Sequence, residues 1–382
     1  MTTRLSRGPF AAHLAEAEAR GSRRQDTLRR LTLSGRVVLF GYGGKGRDLA
    51  LHIQRYHGLE VQVHDTSPLA RARAQRDGFV ALEQLPRCAG DQLGVILGAC
   101  QAQAEQAALA GGAPVFYQEA ASLFDAPHLF HRVRDFPAWT AANADALYEV
   151  YRTVHDHSRG ALLGVLSFRL SLDPRDLAAI RRPVGDMWFD VPARHGRARY
   201  GTFLDVGAFD GDTLRTARAQ LGVRRGIAVE ANHTLIPAIE AVGADFPSGV
   251  KIVSAAAWSH RCRLHFAEVR GGMLSVTEGT DGELVAAPLD DEVNEAVDLL
   301  KMDIEGAELP ALAGATRTLA RAPDLAVAAY HRPEDLVTLP RFLADHGYDP
   351  ETCDIHVGHY SDCLDDTILY VVRRDRQPVR AP

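Results

Sequence analysis

The sequence has few lysines, no paired cysteine motif and no long apolar run. Lysine occurs only at Lys45, Lys251 and Lys301, although the chain has 43 basic residues in all. Because the cysteines are odd in number and contain no C-x-x-C pair, they indicate neither a disulfide framework nor a metal site. We expect all five to be reduced; they are Cys88, Cys100, Cys262, Cys353 and Cys363.

Membrane and nucleic-acid partners are not indicated either. No stretch of about 20 apolar residues could span a bilayer, and the basic N-terminus lacks the apolar segment of a signal peptide. A formal net charge of -6 gives no general attraction to nucleic acid or to an anionic membrane. We therefore expect a cytoplasmic enzyme, and its 382 residues are enough for two domains.

The stretch from Tyr200 to Thr213 predicts a buried strand, a glycine turn and a helix. Apolar and β-branched residues precede Gly207, and Asp212 stands where a helix N-cap is expected after Gly211. Gly207 lacks a Cβ, so that a ligand can come close to the backbone. Asp205 lies within a strand expected to be buried on both faces, and we expect it to contact loop amides and a cationic ligand.

Glu230 extends this pattern to a second strand. It closes the apolar run Ile227-Ala-Val and stands 25 positions after Asp205. An acid at the end of the second strand of an α/β unit is placed to accept hydrogen bonds from both hydroxyls of a ribose. The two stretches together predict a site for an adenosyl ligand.

Four sequence stretches carry a family resemblance: FLDVGAFDGDTL, VEAN, DLLKMDIEGAELPALAGA and DTILYVV, in this order. They resemble the FkbM-type S-adenosylmethionine-dependent methyltransferases over about Tyr200 to Arg373. KMDIEGAE, from Lys301 to Glu308, is the most family-specific block. The turn departs from the family, because Phe209-Asp210 stands where the family commonly has Asn-Ile. The resemblance implies S-adenosyl-L-methionine as the cofactor.

Strands and helices alternate in the C-terminal half of the chain. Five parallel strands followed by an antiparallel hairpin are predicted, which is the class I methyltransferase fold that the resemblance also implies. The five parallel strands are expected near Thr202, Ile227, Lys251–Ala255, Val297–Asp303 and Leu325–Tyr330, and the hairpin at Tyr348–Ile355 and Thr367–Val372. The predicted domains are residues 1–134, a helical connector at 135–195, and the methyltransferase domain at 196–382.

A second glycine turn predicts a nucleotide site near the N-terminus. The strand Arg36–Phe40 runs into G-x-G-x-x-G, and Asp65 lies 22 positions after Gly43 at the end of a second predicted strand. This is the context of a Rossmann-like dinucleotide fingerprint. LFGYGGKGRDLA also resembles the nucleotide-sugar-binding domains of certain sugar-modifying acyltransferases, and packing alone is the alternative. The predicted nucleotide site comprises Gly41, Gly43, Gly44, Lys45, Gly46 and Asp65.

The candidate catalytic residues lie around the fourth and fifth strands of the C-terminal sheet. Lys301, Asp303 and Glu305 alternate, and on an extended chain they point to one side. Lys301 with Asp303 could instead be a structural ion pair. His331 follows the fifth strand, and an ordinary pKa near 6.5 suits a general base at neutral pH. Asp303 is the competing candidate for that role.

The sequence thus predicts an O-methyltransferase acting on a hydroxyl of a sugar, a nucleotide sugar or a glycosylated small molecule. A nucleotide-sugar sensor with a non-catalytic methyltransferase-like domain is the first alternative, and an NAD-dependent oxidoreductase is the second. No metal is predicted, and homo-oligomer formation is left open. The predicted cofactor contacts are Asp205, Gly207, Ala208, Asp210, Gly211, Glu230, Asn232, Trp258 and Asp303.

Overall fold

The computed structural model describes most of the chain in two compact units. The first unit comprises residues 1–144, 164–179 and 362–364, and the second comprises 145–163, 180–361 and 365–382. Division points fall within two helices, Ala144–Thr153 and Asp156–Ser171. The domain boundaries expected at 134 and 195 stay predictions. The described residues are 7–32, 36–84, 93–96, 115–116, 124, 131–195, 200–269, 273–279 and 281–374.

A parallel sheet forms the centre of the first unit. Its strands run in the order β3-β2-β1-β4-β5, and every pair is parallel. Val37 to Phe40 are fully buried, as expected for a strand with both faces covered. The strands are β1 (Arg36–Phe40), β2 (Glu60–His64), β3 (Val80–Leu82), β4 (Leu93–Ile96) and β5 (Val115–Phe116).

The second unit is built on a seven-stranded sheet in the order β15-β16-β14-β13-β6-β7-β8. Five neighbouring strands are parallel, while β16 pairs antiparallel with both β14 and β15. The predicted class I methyltransferase arrangement is therefore confirmed. The strands are β6 (Thr202–Val206), β7 (Arg225–Val229), β8 (Val250–Val253), β13 (Leu299–Met302), β14 (Asp324–Ala328), β15 (Cys353–His359) and β16 (Thr367–Arg373).

A further small sheet, which was not predicted from the sequence, lies between β8 and β13 in the chain. Its order is β11-β10-β12-β9, with β10 pairing antiparallel to both β11 and β12. The alternation of Cys262 and Leu264 with Arg263 and His265 is a period-2 signal that could have revealed it. The strands are β9 (Ala256–Ala257), β10 (Cys262–Val269), β11 (Met273–Glu278) and β12 (Leu284–Ala287).

Helices complete both units, and none of those described is long and apolar enough to cross a membrane. Those assigned wholly to the first unit are Arg7–Thr32, Gly44–His57, Pro68–Arg76, His131–Ala142 and Pro174–Ala178. Those of the second unit include Asp190–Arg194, Asp212–Leu221, Ile236–Gly243, Leu289–Glu292, Glu308–Ala313, Thr316–Ala320 and Asp335–Asp345. Ala144–Thr153 forms a further helix at the boundary between the units.

Candidate functional site

The carboxyl ends of β14, β13, β6 and β7 lie side by side in the seven-stranded sheet. Because these four strands are parallel, the loops that follow them meet at one edge, where ligands bind in open α/β sheets. Asp205, Glu230, Asp303 and His331 all lie at or just beyond this edge. The fold therefore brings together residues that are up to 126 positions apart in the sequence.

Lys301 and Asp205 form a buried ion pair, with Nζ 3.0 Å from Oδ1. They are directly opposite each other in the β13–β6 register, so their side chains share one face of the sheet. Lys301 Nζ also donates to the carbonyl of Gly207 at 2.6 Å. The structural ion pair considered for Lys301 therefore joins it to Asp205, and not to Asp303, which lies beyond the end of β13.

Both members of this pair are charged at neutral pH. Burial raises the pKa of Asp205 to about 6, although Lys301 opposes the shift. Burial alone would lower the pKa of Lys301, but the Asp205 carboxylate raises it overall. With side chains at most 4% exposed, neither group is open to a ligand. Lys301 therefore holds the glycine turn through the carbonyl of Gly207 and is not exposed to a substrate.

The glycine turn after β6 touches the loop after β13. Gly207 has a φ of +79°, and a Cβ built on it would lie 2.0 Å from the carbonyl oxygen of Asp303. Only glycine fits this position, because both the backbone angle and the space exclude a side chain. This close approach joins the predicted cofactor turn to the predicted catalytic loop.

Glu230 spans the ends of β6 and β7. Its Oε2 accepts the amide N–H of Phe209 at 2.9 Å, and its Oε1 accepts that of Asn232 at 2.7 Å. The side chain is only partly buried, and each carboxylate oxygen keeps a further lone pair. Glu230 therefore organises the turn and still presents acceptors at the sheet edge, where the ribose hydroxyls were predicted.

The other predicted cofactor residues hold the turn mainly through the backbone. Ala208 is buried and donates its amide to Val229, and Gly211 caps the next helix with a φ of +85°. Asp210 Oδ1 accepts the amide of Asp212, which begins the helix and is not its N-cap. Trp258 lies after β9, and its indole N–H donates to Glu278 at 2.7 Å.

Asp303 is the centre of a polar cluster beyond β13 and β14. The Tyr330 hydroxyl donates to its Oδ1 at 3.1 Å, and His331 Nε2 lies 3.4 Å from the same oxygen. The Asp303 side chain is 27% exposed, whereas that of His331 is only 1% exposed. Burial and the Asp303 carboxylate raise the pKa of Tyr330 far above its ordinary range, so its hydroxyl keeps its proton.

His331 is enclosed by carboxylates on both ring nitrogens. Its Nδ1 lies 2.8 Å from Glu308 Oε1, and its Nε2 lies 3.5 Å from Glu305 Oε2. Burial alone would lower the pKa of His331, but Glu308 and the other carboxylates raise it to about 9. The imidazole is therefore protonated at neutral pH, which does not favour the general-base role expected from an ordinary histidine pKa.

Glu305 and Glu308 reach this cluster through a tight turn. Glu305 and Gly306 have φ angles of +59° and +93°, so the extended alternation expected from Lys301 stops after β13. Glu308 Oε1 accepts the amide of Ile304 at 2.9 Å, and the side chain is 1% exposed. No role was predicted for Glu308 or Tyr330, although the first lies in the KMDIEGAE block and the second precedes His331.

Several histidines also lie close together in the second unit. His155 precedes the helix Asp156–Ser171, and its ring lies 5.2 Å from that of His157 and 4.8 Å from that of His356. Of these three histidines, His157 is in that helix, and His356 is in β15.

In the first unit, the turn after β1 is tied to the end of β2. Asp65 accepts the amides of Tyr42 at 2.6 Å and of Ser67 at 2.7 Å, and it is 9% exposed. Gly41 has a φ of +92°, and Gly43 caps the helix Gly44–His57 without a side-chain hydrogen bond. Gly46 is buried, and the side chain of Lys45 lies outside the described part of the structure.

Comparisons with known proteins agree with this geometry. Residues 205–350 match the family model of the methyltransferase FkbM domain. A methyltransferase FkbM from Methylobacillus flagellatus KT shares the fold, with a TM-score of 0.71 and 21% identity over 96% of this chain and 100% of that one. A search of curated proteins finds no match.

A ribosomal protein L11 methylase from Lactobacillus delbrueckii subsp. bulgaricus is more distant. It has a TM-score of 0.32 and 14% identity, over 48% of this chain and 75% of that one. The family match covers the glycine turn, Glu230 and the whole Asp303–His331 cluster. Residues 205–350 thus match the methyltransferase FkbM domain, and this match supports methyltransferase activity.

Proposed function

We propose that the second unit is an S-adenosylmethionine-dependent O-methyltransferase that acts on a hydroxyl of a sugar or a glycosylated small molecule. The contact between Gly207 and Asp303 carries the proposal. It places the backbone carbonyl of Asp303, whose side chain is 27% exposed, against the glycine turn that follows β6. A methyl donor at that turn and a proton acceptor beside it are the two groups that O-methylation requires.

The residues of the turn fit the cofactor. Glu230 offers carboxylate lone pairs to the ribose hydroxyls, and Trp258, which is partly exposed, offers a ring for the adenine. Gly207 is held by Lys301 through its carbonyl, and its missing Cβ lets the turn pack directly against the backbone of Asp303. When bound, S-adenosylmethionine would supply an electrophilic methyl group to an acceptor oxygen, with S-adenosylhomocysteine as the leaving group.

Asp303 is the proposed general base. Its carboxylate would accept the proton that the acceptor hydroxyl loses on methylation. His331 is a positioning residue, because it is buried, protonated and within 3.4 Å of Asp303 Oδ1. The Tyr330 hydroxyl donates a hydrogen bond to the same oxygen, and this bond fixes the orientation of the carboxylate.

The surface around Asp303 suits a polyhydroxylated acceptor. Glu305 is 40% exposed and adds a second carboxylate for sugar hydroxyls, which are hydrogen-bond donors. Phe209 is 60% exposed with a φ of +48°, so an aromatic ring stands open on the glycine turn despite a strained backbone. Such a ring can pack against the apolar face of a sugar.

The first unit is proposed to bind the nucleotide part of a ligand. Its strand order is the one that the doubly wound dinucleotide-binding fold uses for its first five strands. Gly43 and Gly44 are exposed, with open space where a Cβ would stand, and the helix that begins at Gly44 offers amides to a phosphate. Asp65 accepts hydrogen bonds from two backbone amides, so its proposed role is to hold this turn.

The direct test measures methyl transfer. The full chain is incubated with labelled S-adenosylmethionine and a panel of sugars, nucleotide sugars and glycosides, and both S-adenosylhomocysteine and methylated product are measured. Asp303→Asn should lower turnover by about 10²–10⁴-fold. Its affinity for the cofactor should remain near that of the wild-type protein, because the proposed base does not hold the ribose.

Two further variants sharpen this test. Asp345→Asn is the matched control, since Asp345 is exposed near the end of the helix Asp335–Asp345 and outside the site. His331→Gln should lower turnover less than Asp303→Asn and should not remove the acidic limb of the pH–rate profile. If the cofactor binds but no acceptor in the panel is methylated, the sensor alternative is favoured.

A further inference from the structure

Three potential metal ligands meet on the small sheet of the second unit, and none of the three is assigned to the proposed methyl transfer. They are His260, Cys262 and Glu278, whose ligand atoms all lie within 4.8 Å of one another. Cys262 begins β10, and Glu278 ends β11. Leu264 faces Glu278 across these strands, so Cys262 is a diagonal neighbour of Glu278 on the same face.

The distances between the side chains are close to those of a metal site. His260 Nε2 lies 3.6 Å from Glu278 Oε2. Two ligand atoms at ordinary zinc distances and tetrahedral angles are about 3.3 Å apart. A small rotation of the two exposed side chains would therefore close the site. Cys262 is partly buried, and its sulfur supplies the third donor.

Neighbouring side chains already orient two of the three ligands. Ser259 Oγ lies 3.0 Å from Nδ1 of His260, which leaves Nε2 directed to Glu278. The indole N–H of Trp258 donates to Glu278 Oε1 at 2.7 Å, which leaves Oε2 on the side of His260. Metal-binding histidines and carboxylates in proteins usually have outer partners of this kind.

We propose that His260, Cys262 and Glu278 bind a divalent transition metal ion, with Zn²⁺ as the best fit. Imidazole nitrogen, thiolate sulfur and carboxylate oxygen are the donors that zinc takes, whereas Mg²⁺ and Ca²⁺ prefer oxygen alone. Three protein ligands leave a fourth position for water. On binding, the thiol proton of Cys262 is released to solvent, and a sulfur–metal bond forms.

A surface ion pair between His260 and Glu278 is the competing explanation. An exposed pair of this kind contributes little to stability and does not require the thiol. The two explanations therefore differ in Cys262. In the zinc site the metal ties β10, β11 and the segment containing Trp258 together, and it would fix the ring that the adenine is proposed to contact.

Cobalt spectroscopy on the full, metal-free protein tests the thiol directly. Co²⁺ replaces Zn²⁺ in tetrahedral sites, and a cobalt–thiolate bond gives a sulfur-to-metal charge-transfer band. We expect this band in the wild-type protein, its loss in Cys262→Ser, and displacement of cobalt by Zn²⁺. The Asp303, Glu308 and His331 cluster has no thiolate, so cobalt bound there would not produce the band.

Competition with a chromophoric chelator gives the affinities. Outer partners of metal ligands typically contribute about 10–100-fold to metal affinity, so Trp258→Phe should weaken Zn²⁺ binding by about 10-fold. Cys262→Ser and Glu278→Gln remove direct ligands and should weaken it by more than ~100-fold. Cys363→Ser is the matched control for a partly buried cysteine outside the cluster and should leave the affinity unchanged.

The proposal is overturned by either of two results. One is a wild-type protein that shows no charge-transfer band with Co²⁺. The other is a band that persists in Cys262→Ser, which would place the thiolate elsewhere in the chain. Circular dichroism of each metal-free variant checks that it is folded, and Glu278→Gln provides a second test that leaves the thiol intact.

Discussion

Replacing Lys301 by methionine tests the buried ion pair that supports the glycine turn. Lys301 Nζ lies 3.0 Å from Asp205 and 2.6 Å from the Gly207 carbonyl, and both side chains are almost completely buried. Methionine keeps the length of the apolar stem and removes the charge. The Asp205 carboxylate is then left in an apolar environment without its cation, and the Gly207 carbonyl loses its donor.

The expected loss of stability is large. Removing one partner of a buried ion pair typically costs about 3–5 kcal/mol, because the remaining charge is uncompensated. Asp205, whose pKa is already about 6 beside Lys301, can escape part of this cost by taking up a proton. The destabilisation of Lys301→Met relative to wild type should therefore shrink as the pH falls towards 6 and level off below 6, where Asp205 is protonated in both proteins.

Urea unfolding followed by tryptophan fluorescence measures this loss. Trp188 is a suitable reporter, since Lys301 Nζ lies 5.1 Å from the centre of its ring. Arg261→Met is the matched control, because Arg261 is 60% exposed in its ion pairs with Asp291 and Glu292 and should contribute little to stability.

A double-mutant cycle separates the pair from the packing of each side chain. Adding Asp205→Asn to Lys301→Met should recover part of the loss, with a coupling energy of about 0.5–3 kcal/mol. The reasoning is refuted if Lys301→Met costs no more than Arg261→Met, or if the double variant recovers nothing.

Two other predictions concern the cofactor and the response to acid. Glu230→Gln keeps one acceptor oxygen for the turn but loses the charge, so calorimetry should show S-adenosylhomocysteine binding weakened by about 1.5–3 kcal/mol. Glu240→Gln is the control, because Glu240 is exposed on a helix, and it should leave this binding unchanged. Burial, then His155 and His195, lower the pKa of His356 from 6.5 to about 4, so the folded state loses stability as the pH falls from 6.5 towards 4. Between pH 7 and pH 5 the free energy of unfolding should fall by about 2 kcal/mol less in His356→Leu than in the wild-type protein. The prediction is contradicted if the urea midpoint shifts equally in both proteins over this pH range.

The seven-stranded sheet could be predicted because its strands are buried on both faces. β6 and β14 read as continuous apolar runs whose carboxyl ends carry acids or histidine, and the observed bounds differ from the predicted ones by only a few residues. The sheet of β9 to β12 was missed, because two of its strands have four residues or fewer and carry little periodic signal.

The chemistry of the site was harder to predict than the fold. His331 was expected to be a base on the strength of an ordinary pKa, which holds only for a solvated imidazole. Its environment depends on Glu308, whose position follows from the positive φ angles of Glu305 and Gly306. A sequence pattern does not show that three carboxylates surround a buried ring, so the direction of the pKa shift required the structure.

Each unit has an acid after its second strand that was predicted to bind a ribose, and in both units this acid holds the glycine turn in the same way. In each, a glycine with positive φ donates its amide to the last residue of that strand, as Gly41 does to His64 and Gly207 to Val229. The following acid, Asp65 or Glu230, then accepts two loop amides. The spacing alone therefore does not identify a ribose site. Exposure separates the two, because Asp65 is 9% exposed whereas Glu230 is only partly buried and keeps its carboxylate open at the sheet edge.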